Sequence, residues 1–247
     1  MLRKIVFRTI RISTIFIKEQ LKEPTAFFWT ILSPTALFYL LNYSKGMTPP
    51  YQANYMEATS WFYAYISSSV AFFGFSFYII GRRESGFTRS FIYTLEARTI
   101  FLLGQFLAYS LISVFYCLAF YVLTRPAFSA YSISEATFIA GRFYLCFLLF
   151  SIPGLLLTLP PLTFQNANTT FSIISFSMPT LGIYSANITP STSYSLYSIN
   201  PLAMAHNIVM NGVQSNLTYL IIILTLFPTT FLLTLRFLRI NPIWSRY

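Results

Sequence analysis

Residues 81–98 read GRRESGFTRSFIYTLEAR. This segment holds six charged residues, in a chain of 247 with only 16 Lys and Arg, six Glu and no Asp. To either side run long blocks of Phe, Tyr, Ile, Leu and Ser. The whole chain is 55% hydrophobic, 19% aromatic and 9% charged, whereas soluble domains carry about 25% charged residues. So apolar a chain belongs in a bilayer. The segment at 81–98 is then a polar break between two membrane spans.

A hydrocarbon core about 30 Å thick takes about 20 mostly apolar residues per helix. Six stretches qualify: 25–44, 60–80, 100–123, 138–160, 168–188 and 217–236. The fifth, rich in Ser and Thr, is the most polar. The fold expected is an all-α integral membrane protein with six transmembrane helices in one domain, 1–247. Lys and Arg set its orientation, because they accumulate on the cytoplasmic side. They precede the first span (Arg3, Lys4, Arg8, Arg11, Lys18, Lys22), fill the segment between spans two and three (Arg82, Arg83, Arg89, Arg98), and end the chain (Arg236, Arg239, Arg246). An even number of spans puts all three groups, and both termini, in the cytoplasm. The loop 161–167 should lie there too, although it is uncharged.

The net charge of +10 attracts anionic membrane lipids in such a chain. It does not point to nucleic acid, because the basic residues are interleaved with apolar blocks rather than gathered in a soluble domain. Residues 1–23 place Lys4, Arg8, Arg11, Lys18 and Lys22 on one helical stripe, with Ile and Phe over much of the rest. This pattern predicts an amphipathic helix lying in the interface. Residues 189–216 are too polar to span, and within them PLAMAHNIVM predicts a short re-entrant or interfacial helix on the outer side.

Several chemistries lack their residues. There is no GxxxxGK[ST] loop for ATP, no HExxH and no GxSxG. His206 is the single histidine, expected in a hydrogen-bonding role near the outer surface. Cys117 and Cys146 lie within apolar runs and read as small hydrophobes. The glutamates, Glu19, Glu23, Glu57, Glu84, Glu96 and Glu135, fall near span ends, whereas ion-coupled carriers place acids within the membrane. Arg142, inside span four, reads as a side chain snorkelling to the outer interface. Thr169, Ser172, Ser175 and Thr180 make span five a candidate lining for the path of an amphiphile. The same hydroxyls equally suit helix–helix packing.

The segment 81–98 resembles the cytoplasmic loop of ABC-2 type exporter permeases, which carries an acid-x-Gly start, an amphipathic helix, a Leu, a basic residue and a later Leu-Gly step. Glu84, Gly86, Leu95, Arg98 and Gly104 match that pattern; Gln105 stands where Lys is common, and Glu96 where Pro is frequent. Glu23-Pro24 before span one and Asn200-Pro201 before span six extend the resemblance along the chain. It implies a permease with no catalytic site of its own, paired with a second permease chain, a homodimer by expectation. It also implies two copies of a separate ATPase subunit, which would hold ATP and Mg, in a bacterial inner membrane. It makes the loop a cytoplasmic coupling helix, with Glu84, Ser85, Gly86, Phe87, Arg89, Phe91, Ile92 and Leu95 as the ATPase-coupling interface. Ser85 or Thr88 is the expected N-cap. The cargo expected is an antimicrobial peptide, antibiotic or other amphiphile, with lipid or lipid-linked polysaccharide as the alternative. An ATP-independent carrier or scaffold, or an integral membrane lipid enzyme, is the reading of another class. The alternative for the Phe87–Leu95 face, less favoured, is the headgroup layer.

Overall fold

The computed structural model describes residues 2–46, 48–52, 54–186, 200–212 and 217–243. Among them the chain is helical, with no β-strand. In order the helices are α1 (Leu2–Leu21), α2 (Pro24–Ser44), α3 (Tyr55–Glu84), α4 (Phe87–Phe91), α5 (Leu95–Thr124), α6 (Ile133–Leu156), α7 (Phe164–Ala186), α8 (Pro201–Asn211) and α9 (Leu217–Phe237). Helices α2, α3, α6 and α9, together with α5 and its 3₁₀ extension through Ala127, are long and apolar enough to cross a membrane. The protein is therefore an integral membrane protein with five such helices among the described residues. Helix α7 is equally long at 23 residues, but its Ser, Thr and Asn content leaves it short of the others' apolarity.

Helices α3 and α6 form the centre of the bundle. They pack on one another, and α5, α8 and α9 surround them. Aromatic rings fill the contacts. Phe75 packs between Phe106 and Phe147, and Phe72 between Phe150 and Phe171. Tyr63, fully buried, shares a hydrogen bond with Tyr55, whose hydroxyl also meets Thr124. Helices α2 and α9 are mostly uncovered, and their exposed Leu and Phe side chains suit hydrocarbon.

Helix α1 packs along the first half of α5. Its buried face is Thr9, Ser13, Phe16 and Gln20, spaced at one helical stripe and opposite the basic stripe. Small and hydroxylated residues let backbones approach closely. The approach is tightest at Gly104, where a Cβ would come within 2.9 Å of the Ile12 side chain. Val6, Phe7, Ile10 and Leu21 remain exposed between the buried and basic faces. The helix is amphipathic as expected, but its covered face is the hydroxylated one.

The three basic segments meet at one end of the molecule. Arg8 pairs with Glu96, Arg82 with Glu19, and Thr88 contacts the backbone at Ile240. Arg125, paired with Glu135 at 2.8 Å, lies in the turn between α5 and α6 at the opposite end. Of the outer segment expected at 189–216, residues 200–212 are described. They form α8, which sits against α3, α6 and α7 rather than standing apart. The expected stretches 189–199 and 213–216 lie outside the described residues.

Candidate functional site

At the basic end, α3 runs on past the expected span to Glu84. It stops there because Gly86 takes a left-handed conformation (φ 79°), which only glycine adopts readily. Helix α4 follows for a single turn. The amphipathic stretch 87–98 is not one helix: the backbone leaves the helix at 92–94, and Thr94 caps α5 by accepting from the Ala97 N–H at 3.1 Å. Neither Ser85 nor Thr88 caps α4: Ser85 donates to the Arg82 carbonyl, and Thr88 to the Ile240 carbonyl at 2.7 Å. The N-cap position falls on Gly86, which has no side chain to receive the first N–H groups of the turn.

The break divides the segment into two faces. Thr88 and Ile92 are buried, and Phe87 is half-buried against Phe91 and Phe101. Arg89, Phe91, Tyr93 and Leu95 point outward; Phe91 is 68% exposed, Tyr93 71% and Leu95 64%. Ile92 is thus part of the core and not of the outward face. Tyr93, not among the expected interface residues, joins it. Glu84 is held inside: it pairs with Arg83 at 3.0 Å and accepts the Ile243 N–H. Arg83 is 1% exposed and donates to the carbonyls of Thr158 and Pro160 at 3.0 and 3.4 Å, and of Leu162 at 2.5 Å. This explains the uncharged loop at 161–167. Its neighbouring carbonyls take their positive charge from Arg83, across the end of the bundle.

Arg82 connects the segment to α1. Its guanidinium lies 5.0 Å from the ring centres of both Phe16 and Phe87 and pairs with Glu19. A guanidinium between two aromatic faces couples them by cation–π attraction. Phe87 and α1 thus share one guanidinium.

Beside that contact opens a cavity of about 1030 Å³. Its mouth carries Glu19, Lys22, Glu23, Arg82 and Ser85. Its walls come from α2 (Trp29, Thr30, Ser33) and α3 (Tyr65, Ser69, Phe73, Phe77, Tyr78), and its floor includes Tyr109 and Tyr116 of α5. Both walls are π-helical where they face it, at Phe28–Leu32 and at Val70–Ser76. Such turns are rare and concentrate at functional sites. Tyr109 lies flat against the second, where a Cβ on Gly74 would come within 2.5 Å of its ring. Its hydroxyl donates to Gln20 at 2.7 Å. The chamber is charged at its mouth and aromatic and hydroxylated within, a lining that matches an amphiphile.

No family model matches the chain. It is similar to Protein McbE of Escherichia coli. The two are 28% identical over 240 residues, which is 96% of this chain and 98% of McbE. The likeness to McbE thus covers both the segment at 81–98 and the cavity, and not one isolated span.

The hydroxyls of α7 lie elsewhere. Thr169, Ser172 and Thr180 are exposed on its outer side and Ser175 is half-buried; none of the four lines the cavity. Thr169 and Thr180 donate to carbonyls one turn back in their own helix. At the end of the molecule opposite the basic segments, Arg142 donates to the carbonyls of Val209 and Met210 at 2.8 and 3.2 Å. It caps the C-terminus of α8, where unpaired carbonyls and the helix dipole favour a cation. It does not extend outward to the interface. Asn200 fixes the other end of α8: it accepts from the Leu202 N–H and donates to the Met178 carbonyl. His206 stacks on Trp61 with ring centres 4.3 Å apart. Burial lowers its pKa to about 4, so it is neutral at physiological pH.

Proposed function

We propose that this chain is a membrane transport protein and, more narrowly, the permease subunit of an ABC-2 type exporter. The observation that carries the reading is the continuity of the basic end. An outward face of Arg89, Phe91, Tyr93 and Leu95 is joined through Phe87 and Arg82 to α1, and α1 forms part of the mouth of a cavity sized for an amphiphile. Exposed aromatic and Arg side chains together are the usual anchors of protein interfaces. A cytoplasmic ATPase subunit docked there pushes on Phe87, and the cation–π clamp passes the motion to α1 and the cavity. Two permease chains and two ATPases make the working unit, with α7 as a sixth span and both termini in the cytoplasm of a bacterial inner membrane. ATP and Mg belong to the ATPase. The cargo is an antimicrobial peptide, antibiotic or similar amphiphile that enters the cavity from the cytoplasmic side.

The placement of carboxylates favours this reading over an ion-driven carrier. Glu19, Glu84, Glu96 and Glu135 are each paired with an arginine. Glu23 precedes α2, and Glu57 lies in the first turn of α3. A lipid or lipid-linked polysaccharide would use the same docking face and the same cavity, whose Trp29 is 68% exposed.

The test is purification of the tagged chain from membranes of a host that also expresses its genomic neighbours. A stoichiometric soluble subunit and vanadate-sensitive ATP hydrolysis are expected, and both should be lost in Phe91→Asp. Efflux that continues in vesicles depleted of ATP, with no such subunit, overturns the proposal.

A further inference from the structure

A second concavity lies at the basic end, on the other side of the docking segment from the cavity. It encloses about 760 Å³ between α4, the start of α5 and the segment that follows α9. Its polar lining is Arg89, Tyr93, Arg98, Arg236, Arg239 and Asn241. Four arginines from three separate parts of the chain thus line one groove, and among the described residues no carboxylate lines it. The acids closest in sequence are each paired with another arginine: Glu84, which also accepts the N–H of the groove residue Ile243, with Arg83, and Glu96 with Arg8. None of the four groove arginines has an ion pair among the described residues, and Arg98 Nε is buried with no hydrogen-bond partner there. Each guanidinium repels the others, so the arrangement favours an anion that bridges them.

We infer that this groove binds the phosphate of an anionic phospholipid headgroup. The planar fork of Arg matches phosphate oxygens in bidentate fashion, and Tyr93 and Asn241 add neutral donors. The depth of the groove identifies the source. Helix α9 has 21 residues, or about 31 Å at 1.5 Å per residue, which matches the hydrocarbon thickness. Its C-terminal end, Arg236 and Phe237, therefore stands at the headgroup level. The adjoining side of α9 exposes Leu232, Leu233 and Phe237, an apolar track along which acyl chains can lie while the phosphate enters the groove. Anionic lipids attract basic clusters at this depth. The occupant touches the docking segment through Arg89 and Tyr93 and the end of α9 through Arg236 and Arg239, so it ties the two together. The inference does not depend on the transport reading.

The test uses the full chain in neutral detergent, delipidated, with its melting temperature followed during titration with phosphatidylglycerol, phosphatidylcholine of the same acyl length, or inorganic phosphate. Phosphatidylglycerol is expected to give a saturable rise, and phosphatidylcholine none. Half-saturation should move to about tenfold higher lipid in Arg98→Gln/Arg239→Gln, and by a smaller factor in Arg239→Gln, an exposed position whose loss leaves the fold intact. A saturable rise with inorganic phosphate that the same variants weaken supports the phosphate site and shows that the headgroup suffices. Equal shifts with phosphatidylglycerol and phosphatidylcholine overturn the inference. So does a phosphatidylglycerol shift unchanged in both variants, including the case in which those variants instead lose a protein partner.

Discussion

Arg83 illustrates how a residue read from sequence as a charge signal becomes a structural member. Buried, paired with Glu84 and donating to three carbonyls of the α6–α7 loop, it closes the basic end of the bundle. Truncating it leaves a buried carboxylate and orphan carbonyls, which costs about 3–5 kcal/mol in comparable pairs. Arg83→Ala should therefore sharply lower the folded yield in detergent, measured by fluorescence-detected size exclusion. Arg83→Lys should recover little, since an ammonium cannot span three diverging acceptors. His206 gives a pH signature. Its folded pKa, about 4, lies below the unfolded value near 6.5, so the unfolded state binds the proton first. Its contribution to stability is complete above about pH 6.5 and is lost as pH falls toward 4. The melting temperature should fall over that window by more in the native chain than in His206→Phe, which keeps the stack on Trp61 without a titrating group. Gln105, where the exporter pattern carries Lys, is buried with neither amide atom hydrogen-bonded among the described residues.

At the scale of elements, the segment 87–98 is a one-turn helix, an extended step and the capped start of a long helix. That geometry separates two substitutions that sequence spacing treats alike. Ile92→Asp buries a charge in the core, where large destabilisation is expected, and should yield no folded protein. Phe91→Asp, at an exposed position, should leave the melting temperature within about 0.5 kcal/mol equivalents of the native chain while removing ATPase association. Equal behaviour of the two variants in thermal melts would mean that the inward and outward assignment is wrong. The facing π turns of α2 and α3 belong to the same scale. Each widens its helix where the cavity lies, and the Gly74–Tyr109 contact holds the ring of the floor against one of them.

At the scale of the molecule, the basic end gathers α1, the docking segment and the residues after α9, while the opposite end is closed by Arg142, Arg125 and α8. The cavity reaches the basic end through Glu19, Lys22, Glu23, Arg82 and Ser85, so water-soluble reagents should enter it from that side. Both native cysteines are fully buried, which makes the unmodified chain a silent background for labelling. Ser69→Cys and Ser33→Cys, which line the cavity, should react with a membrane-impermeant maleimide in inside-out vesicles and not in right-side-out cells. Protection of both by an amphiphilic cargo would extend the test to its binding. Labelling from the outside would reverse the assigned orientation.

The apolar blocks and the Lys and Arg between them were enough to read a helical membrane protein and to group three basic segments at one end, because exclusion of charge from hydrocarbon acts on each residue by itself. The segment at 81–98 was legible for the same reason, as a charged break between two apolar blocks. Which of its side chains face outward was not. Ile92 is buried and Tyr93 exposed because the backbone leaves the helix at 92–94, and Thr88 is turned inward by Ile240, 152 residues away. The cavity and the phosphate groove likewise need walls from α1, α2, α3 and α5, and from α4, α5 and the segment after α9. The hydroxyls of α7 read as a candidate path lining, and helix packing places three of the four on its exposed side, away from the cavity. A local pattern gives a residue's preference for water or lipid; only the contacts of distant segments decide which face is covered.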